Sequence, residues 1–355
     1  MARVRDDLTT LSGYHSPQVD VDVRLNTNEA PVAPADSVVR AMLNRIAELE
    51  LNRYPDRQAG ELRRLLGLRH GLDPSMLHVG NGSNEVLQHI LLAFGGWGRT
   101  AITFGPTYQM HSQIAAITGT SVVDLGRGDD GRIDPVRLRQ DQARDIVFIT
   151  SPNNPTGLAE SHDTVRGSIV PWCAEADAVL VIDEAYVEFA PGDLLALIDE
   201  YPSVIITRTF SKTLALAGLR LGYAVAAPEM VSALDIVTLP YHLSAVTQAA
   251  GIAALEQMGA VDSRVAELVA GREQVMSALR THGVSVYESS ANFVLFTPGP
   301  DRGNALWDAL VMRGVLVRNC SSWPGLADHL RVTIGTPAEN QRFITAVGEA
   351  LEDIA

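Results

Sequence analysis

Lysine is nearly missing from this chain: Lys212 stands alone beside 27 arginines. Cysteine is scarce as well, and Cys173 and Cys320 lie far apart, which excludes a disulfide framework and a thiolate metal cluster. No basic block offsets the net charge of −14, so a nucleic-acid backbone is excluded as the ligand. No apolar run approaches the ~20 residues of a membrane-spanning helix. The opening MARVRDDLTT has no apolar leader core, so a reducing cytoplasm is the expected setting. The nine histidines show no pair at metal-ligand spacing; they read as surface or packing residues, and no metal is expected. What remains is ordinary for a globular enzyme: 46% hydrophobic and 20% charged residues, on a chain long enough for about two domains.

Arginine in place of lysine reads as a compositional bias of the source, and this makes the exception informative. A guanidinium replaces an ammonium as a surface cation, but it stays protonated and cannot act as an amine nucleophile. A lysine that survives such a bias is a candidate for chemistry that arginine cannot perform. The plainer account is a chance survivor on the surface, and its neighbours decide between the two.

Along the chain, an irregular arm (residues 1–36) precedes helical patterns at Val38–Leu51 and Glu61–Gly71. From about residue 77, short apolar runs alternate with helical segments, which predicts an α/β fold with a mostly parallel sheet flanked by helices. The runs HVG, TAITF, DIVFIT, AVLVI and SVIIT are its strands, and LRLGYAVAA is expected to add one more at the sheet's end. From residue 245 the pattern changes to long helices and short strands, a smaller α+β domain. The expected division is therefore an arm at 1–36, a large domain at 37–244 and a small domain at 245–355.

In open α/β sheets, ligands bind at the carboxyl ends of the strands. Three runs deliver polar residues there: Asn154 after DIVFITSPN, Asp183 and Tyr186 after AVLVI, and Ser211 and Lys212 after SVIIT. The steps from Asn154 to Asp183 and from Asp183 to Lys212 are both 29 residues, about one strand-helix-strand unit. An amide, a carboxylate, a phenol and the only lysine thus converge on one pocket. A buried salt bridge would account for the lysine and the carboxylate alone. Pyridoxal phosphate accounts for more: it needs a lysine for its Schiff base and an acid on its pyridine nitrogen. Its phosphate needs an anion site, which GNGSN at Gly80–Asn84 supplies by opening a helix, with Arg220 close by.

SPNNPTG, VIDEAY, RTFSK and AGLRLGY, in that order, resemble the fold-type-I aminotransferases that depend on pyridoxal phosphate. VRLNTNEAP, NRYPD, GNGSNE, PYHLS, ANFVLF, GVLVR and LRVTIGT extend the likeness to nearly the whole chain, towards the branch that acts on histidinol phosphate. The resemblance implies Lys212 as the Schiff-base lysine and acid/base, Asp183 on the ring nitrogen, and Asn154 and Tyr186 on the ring oxygen. It implies Tyr108 stacked on the ring, and Ser83, Asn84, Ser211 and Arg220 on the phosphate, joined by Tyr54 of a neighbouring subunit. That sharing implies a homodimer. For the substrates, a phosphorylated amine and a 2-oxo acid, it implies Arg331, Arg318 and Tyr14. Two positions depart from the family pattern: Ala30 stands where asparagine is usual, and Asn84 where aspartate is common. An aromatic amino acid aminotransferase or a threonine-phosphate decarboxylase shares these cofactor motifs. A non-catalytic regulator that binds the cofactor would need a DNA-binding segment, and residues 1–36 carry none.

Overall fold

The computed structural model describes residues 3–9, 11, 13 and 19–354. The arm is not wholly irregular. Val23–Leu25 forms a strand, β1, that runs parallel to Val315–Val317 near the other end of the chain. Three residues carry no readable alternation, so this strand exists only through its distant partner.

Seven strands build the larger sheet: β2 (Leu77–Gly80), β3 (Thr100–Thr103), β4 (Ser121–Asp124), β5 (Ile146–Thr150), β6 (Val179–Asp183), β7 (Val204–Thr209) and β8 (Gly222–Ala226). Their order is β2-β8-β7-β6-β5-β3-β4, with β3 to β7 parallel and β8 antiparallel to both of its neighbours. β5 to β8 are buried along their whole length. Strands covered on both faces have no solvent side, so they read as continuous apolar runs. Expected at the sheet's end, β8 is instead second from the edge, between β2 and β7. No crossover helix separates β7 from β8, so the chain turns back antiparallel, and the earlier β2 takes the edge. β4 went unread because its residues are exposed or half-buried.

Three helices precede or follow β2 in the chain: α1 (Asp36–Ala47), α2 (Gly60–His70) and α3 (Ser83–Phe94). Alternate strand residues feed two cores. Val147, Ile149, Ile182 and Ile206 pack with Leu62 and Leu66 of α2 on one face. Phe148, Val181 and Ile205 pack with Val86, Leu87 and Ile90 of α3 on the other. Helices at Met110–Ile117 and Pro228–Val237 were not anticipated from the sequence.

The smaller sheet is formed by β1 with β9 (Ser285–Val286), β10 (Phe293–Thr297), β11 (Val315–Asn319) and β12 (Leu330–Thr333), in the order β1-β11-β12-β10-β9. The helix Ala245–Glu256 packs on α1 and α2, and its Ala250, Ile252 and Ala253 lie in the larger sheet's core. The change of pattern at residue 245 thus falls on a helix that shares the larger sheet's core. Among the described residues no helix is long and apolar enough to cross a membrane.

Buried histidines make this fold sensitive to acid. Desolvation pushes His70 and His89 from 6.5 down to about 4, and lowers His78 as well. His78 Nε2 and His89 Nδ1 are 3.0 Å apart, and His70 Nε2 lies 2.8 Å from Tyr223 Oη. Their neutral forms are favoured in the folded state, so this stability is complete above about 6.5 and is lost as the pH falls towards about 4. Thermal melts at descending pH should show Tm falling through that window. A Tm that stays level there would contradict the reading.

Candidate active site

A cavity of about 370 Å³ opens at the carboxyl ends of β5, β6 and β7, within the size range of small-ligand sites. The strands deliver what the 29-residue spacing implied: Asn154, Asp183, Tyr186, Ser211 and Lys212 all line it. Lys212 Nζ donates to the main-chain carbonyl of Asn28 at 2.9 Å and sits 5.4 Å from the centre of the Tyr186 ring. The Asp183 carboxylate, 2% exposed, accepts from the Ala185 N–H at 3.1 Å and from His111 Nε2 at 3.1 Å. A carboxylate only accepts, so His111 carries its proton on Nε2, and its Nδ1 is buried without a partner. The imidazole stacks on Phe148, with ring centres 4.8 Å apart. His111 is thus no surface histidine. It lies three residues after Tyr108, and that short separation was the available sequence signal.

One wall is an anion cradle. α3 starts at Gly82, whose φ is +80°, and no side chain caps it. Helix N-termini present free N–H groups and a partial positive charge. The Arg220 guanidinium closes the cradle: a Cβ at Gly82 would stand 2.7 Å from its Nη2. Arg220 itself has φ +51°, a left-handed conformation that costs a non-glycine residue ~1–2 kcal/mol. Such strain persists where the side chain's position matters. Ser83 and Asn84 line the same wall, and Asn84 Oδ1 accepts from the Tyr108 hydroxyl at 3.0 Å.

The small sheet supplies another part of the lining. Arg318 of β11 and Arg331 of β12 are register partners, both buried, and both line the cavity. Like charges directly opposite each other destabilise a sheet. Arg331 donates to Asn154 Oδ1 and, at 2.9 Å, to the carbonyl of Asn26, while its Nε is buried with no partner. Arg318 lies over the Trp323 ring. An anion between these guanidiniums would relieve their repulsion. With Lys212 and Arg220 the cavity holds four cationic side chains against Glu29 and Asp183, inside a chain of net charge −14.

The family model for aminotransferase class I and II matches residues 20–347. This chain belongs to the class I and II aminotransferases. Among its relatives, the aminotransferase is 45% identical to the histidinol-phosphate aminotransferase of Thermobifida fusca, over 98% of this chain and 96% of that protein. It is 42% identical to that of Corynebacterium glutamicum, again over 98% and 96%. Its fold matches the crystal structure of histidinol-phosphate aminotransferase from Sinorhizobium meliloti in complex with pyridoxal-5'-phosphate. That match has a TM-score of 0.89 at 24% identity and covers 100% of this chain and 99% of that one. The enzyme is therefore a pyridoxal-phosphate-dependent transaminase, acting on an amine and a 2-oxo acid. The cavity fits that cofactor: it offers an uncapped helix N-terminus with an arginine for a phosphate, an acid held by a buried histidine for a ring nitrogen, and a lysine.

Tyr54 does not reach its own chain's cavity; it is 80% exposed and stacks on Tyr241 with ring centres 4.6 Å apart. Tyr14 lies outside the described residues. Ala30 lines a neighbouring polar cavity with Asp22 and Glu339; Thr27 and Glu29 line both that cavity and the site, and Asn28 lines the site. Asn28 went unread in the sequence because its contacts are tertiary.

Proposed function

We propose that this enzyme transfers the amino group of L-histidinol phosphate to 2-oxoglutarate, giving imidazole-acetol phosphate and L-glutamate in histidine biosynthesis. The observation that carries this reading is the buried, register-paired Arg318 and Arg331, which line the same cavity as Arg220 and Ser83. A cavity lined by the Arg318–Arg331 pair as well as by Arg220 suits a phosphorylated cofactor together with a phosphorylated substrate. The relatives at 42–45% identity act in the same sense, by name.

When bound, pyridoxal phosphate supplies a carbonyl that takes the amine covalently and a ring that accepts the electron pair freed at Cα. The chain's own residues do the rest. Lys212 would hold the cofactor through its amine and, when that amine is free, would serve as the base for the substrate's Cα proton. Asp183, oriented by His111, would hold the cofactor's ring nitrogen. Asn154 has its Oδ1 occupied by Arg331, which leaves its amide N–H for the ring's 3′ oxygen, beside the Tyr186 hydroxyl. Tyr108 packs on the ring. Ser83, Asn84, Ser211 and Arg220 take the cofactor phosphate, with Tyr54 of the partner subunit. Arg318, Arg331 and Tyr14 take the substrate phosphate. A homodimer is proposed with these shared sites; exposed Leu51, Tyr54, Ile236 and Leu239 support one by offering apolar surface. The cytoplasm is the proposed location.

The test is glutamate formation from L-histidinol phosphate and 2-oxoglutarate, run beside L-histidinol, which lacks the phosphate. Efficient turnover of the phosphate ester alone is expected; equal turnover of both would remove the role given to the arginine pair. Arg331→Gln should lower kcat/KM for the ester by about 100-fold, the order expected for losing charge-assisted bonds to an anion.

A further inference from the structure

Every polar atom of Asn28 is engaged, and the pattern has a direction. Asn28 is 1% exposed and sits just beyond β1 with φ +56°. Its main-chain N–H donates to Thr333 Oγ1 at 2.9 Å, and Thr333 Oγ1 lies 3.0 Å from Asn28 Oδ1. A hydroxyl that accepts the main-chain N–H has its own proton to place, and Oδ1 is the acceptor it meets. That turns the amide so that Nδ2 points the other way, to Tyr186 Oη at 3.0 Å. The Asn28 carbonyl meanwhile accepts from Lys212 Nζ at 2.9 Å and from Asn292 Nδ2 at 3.3 Å. Were the amide reversed, Oδ1 would capture the Tyr186 proton, and the buried Thr333 would face two donors.

We propose that Asn28 is a positioning residue: by donating to Tyr186 Oη it forces that hydroxyl to direct its own proton into the cavity. The proposal rests on the assignment of Tyr186 to the cofactor's 3′ oxygen. It adds that the orientation is imposed from the arm and the small domain, because Asn28 and Thr333 lie outside the larger sheet. A carbonyl from the same residue holds the lysine, so one asparagine orders both groups. The charged groups that line the cavity with Tyr186 are Lys212 beyond β7, Asp183 at the end of β6, Glu29 of the arm, Arg220, Arg318 of β11 and Arg331 of β12; Phe293 of β10 packs edge-on to its ring at 5.1 Å.

The test is the visible absorbance of the bound cofactor, followed against pH in the holoenzyme. A proton donated to the ring oxygen favours its anionic form, so losing that donor moves the midpoint of the absorbance change upward. Tyr186→Phe sets the reference. Asn28→Asp replaces the donor by an acceptor that captures the Tyr186 proton, and should raise the midpoint by about one pH unit, the equivalent of one charge-assisted hydrogen bond. Asn28→Gly keeps the left-handed backbone and the carbonyl on Lys212, and should shift the midpoint the same way by less. Thr333→Val, which removes the relay without touching Asn28, should follow Asn28→Gly. In the Tyr186→Phe background, Asn28→Asp should add nothing, because Asn28 acts through the phenol.

A full Asn28→Asp shift that survives in that background would mean a simple charge effect on Lys212 and would overturn the proposal. So would wild-type midpoints in both Asn28 variants while Tyr186→Phe shifts; the Tyr186 assignment would then stand. If Tyr186→Phe itself leaves the midpoint in place, the assignment of Tyr186 fails first, and the role of Asn28 fails with it.

Discussion

Lys212→Arg should abolish turnover, with a loss of about 10⁴-fold or more, while the protein still folds. The substitution keeps a cation beside Asn28 and Tyr186, so electrostatics and packing change little. What disappears is an amine able to bond the cofactor covalently and to carry a proton, and those two contributions multiply. The odd composition provides an independent check. A lysine-specific protease should cut the unfolded chain once, after Lys212, because no other lysine exists. Borohydride reduction of the holoenzyme should fix the cofactor on Nζ and block that cut. Undiminished cleavage, with the cofactor shown to be bound, would remove Lys212 from the role given to it here.

The second large effect concerns stability. Glu184, directly after Asp183, is 1% exposed and accepts from Arg208 Nε at 3.0 Å and Nη2 at 2.7 Å, with the Leu194 N–H at 2.8 Å on its other oxygen. Arg208 also reaches Asp193 at 2.8 Å. These two residues belong to VIDEAY and RTFSK, so each motif sets one scaffold residue beside the two assigned to the chemistry. Arg208→Ala leaves a buried carboxylate without its cation and should destabilise the apoprotein by about 3–5 kcal/mol, measured by urea unfolding. Replacing both members, Glu184→Gln with Arg208→Met, should cost less than Arg208→Ala alone, since the charge then left unpaired is that of the exposed Asp193 and not the buried Glu184. A loss within about 1 kcal/mol for Arg208→Ala would show that the pair does not hold the strand ends together.

These cases mark what the sequence could convey. The strand-end residues were legible because parallel strands repeat at a near-constant interval, and Lys212 because composition isolated it. Arg318 and Arg331 were each legible as motif residues, but their pairing was not, since antiparallel register is not written in either strand. β8 was read as a strand and misplaced, because its apolar run is the same at an edge or inside. His111 and Asn28 escaped for a related reason: a polar residue acquires meaning only from what the fold sets against it. Asn28 is bonded to Tyr186, Asn292, Lys212 and Thr333, residues between 158 and 305 positions away.

The central claim is a transaminase whose substrate carries a phosphate. The most direct measurement is kcat/KM for L-histidinol phosphate beside L-phenylalanine, with 2-oxoglutarate as the acceptor. The buried arginine pair leads us to expect a preference for histidinol phosphate of about 100-fold or more, since a site built for a charged group rejects a ligand that leaves it unpaired. A preference for phenylalanine would contradict the account and assign the same scaffold to an aromatic amino acid aminotransferase.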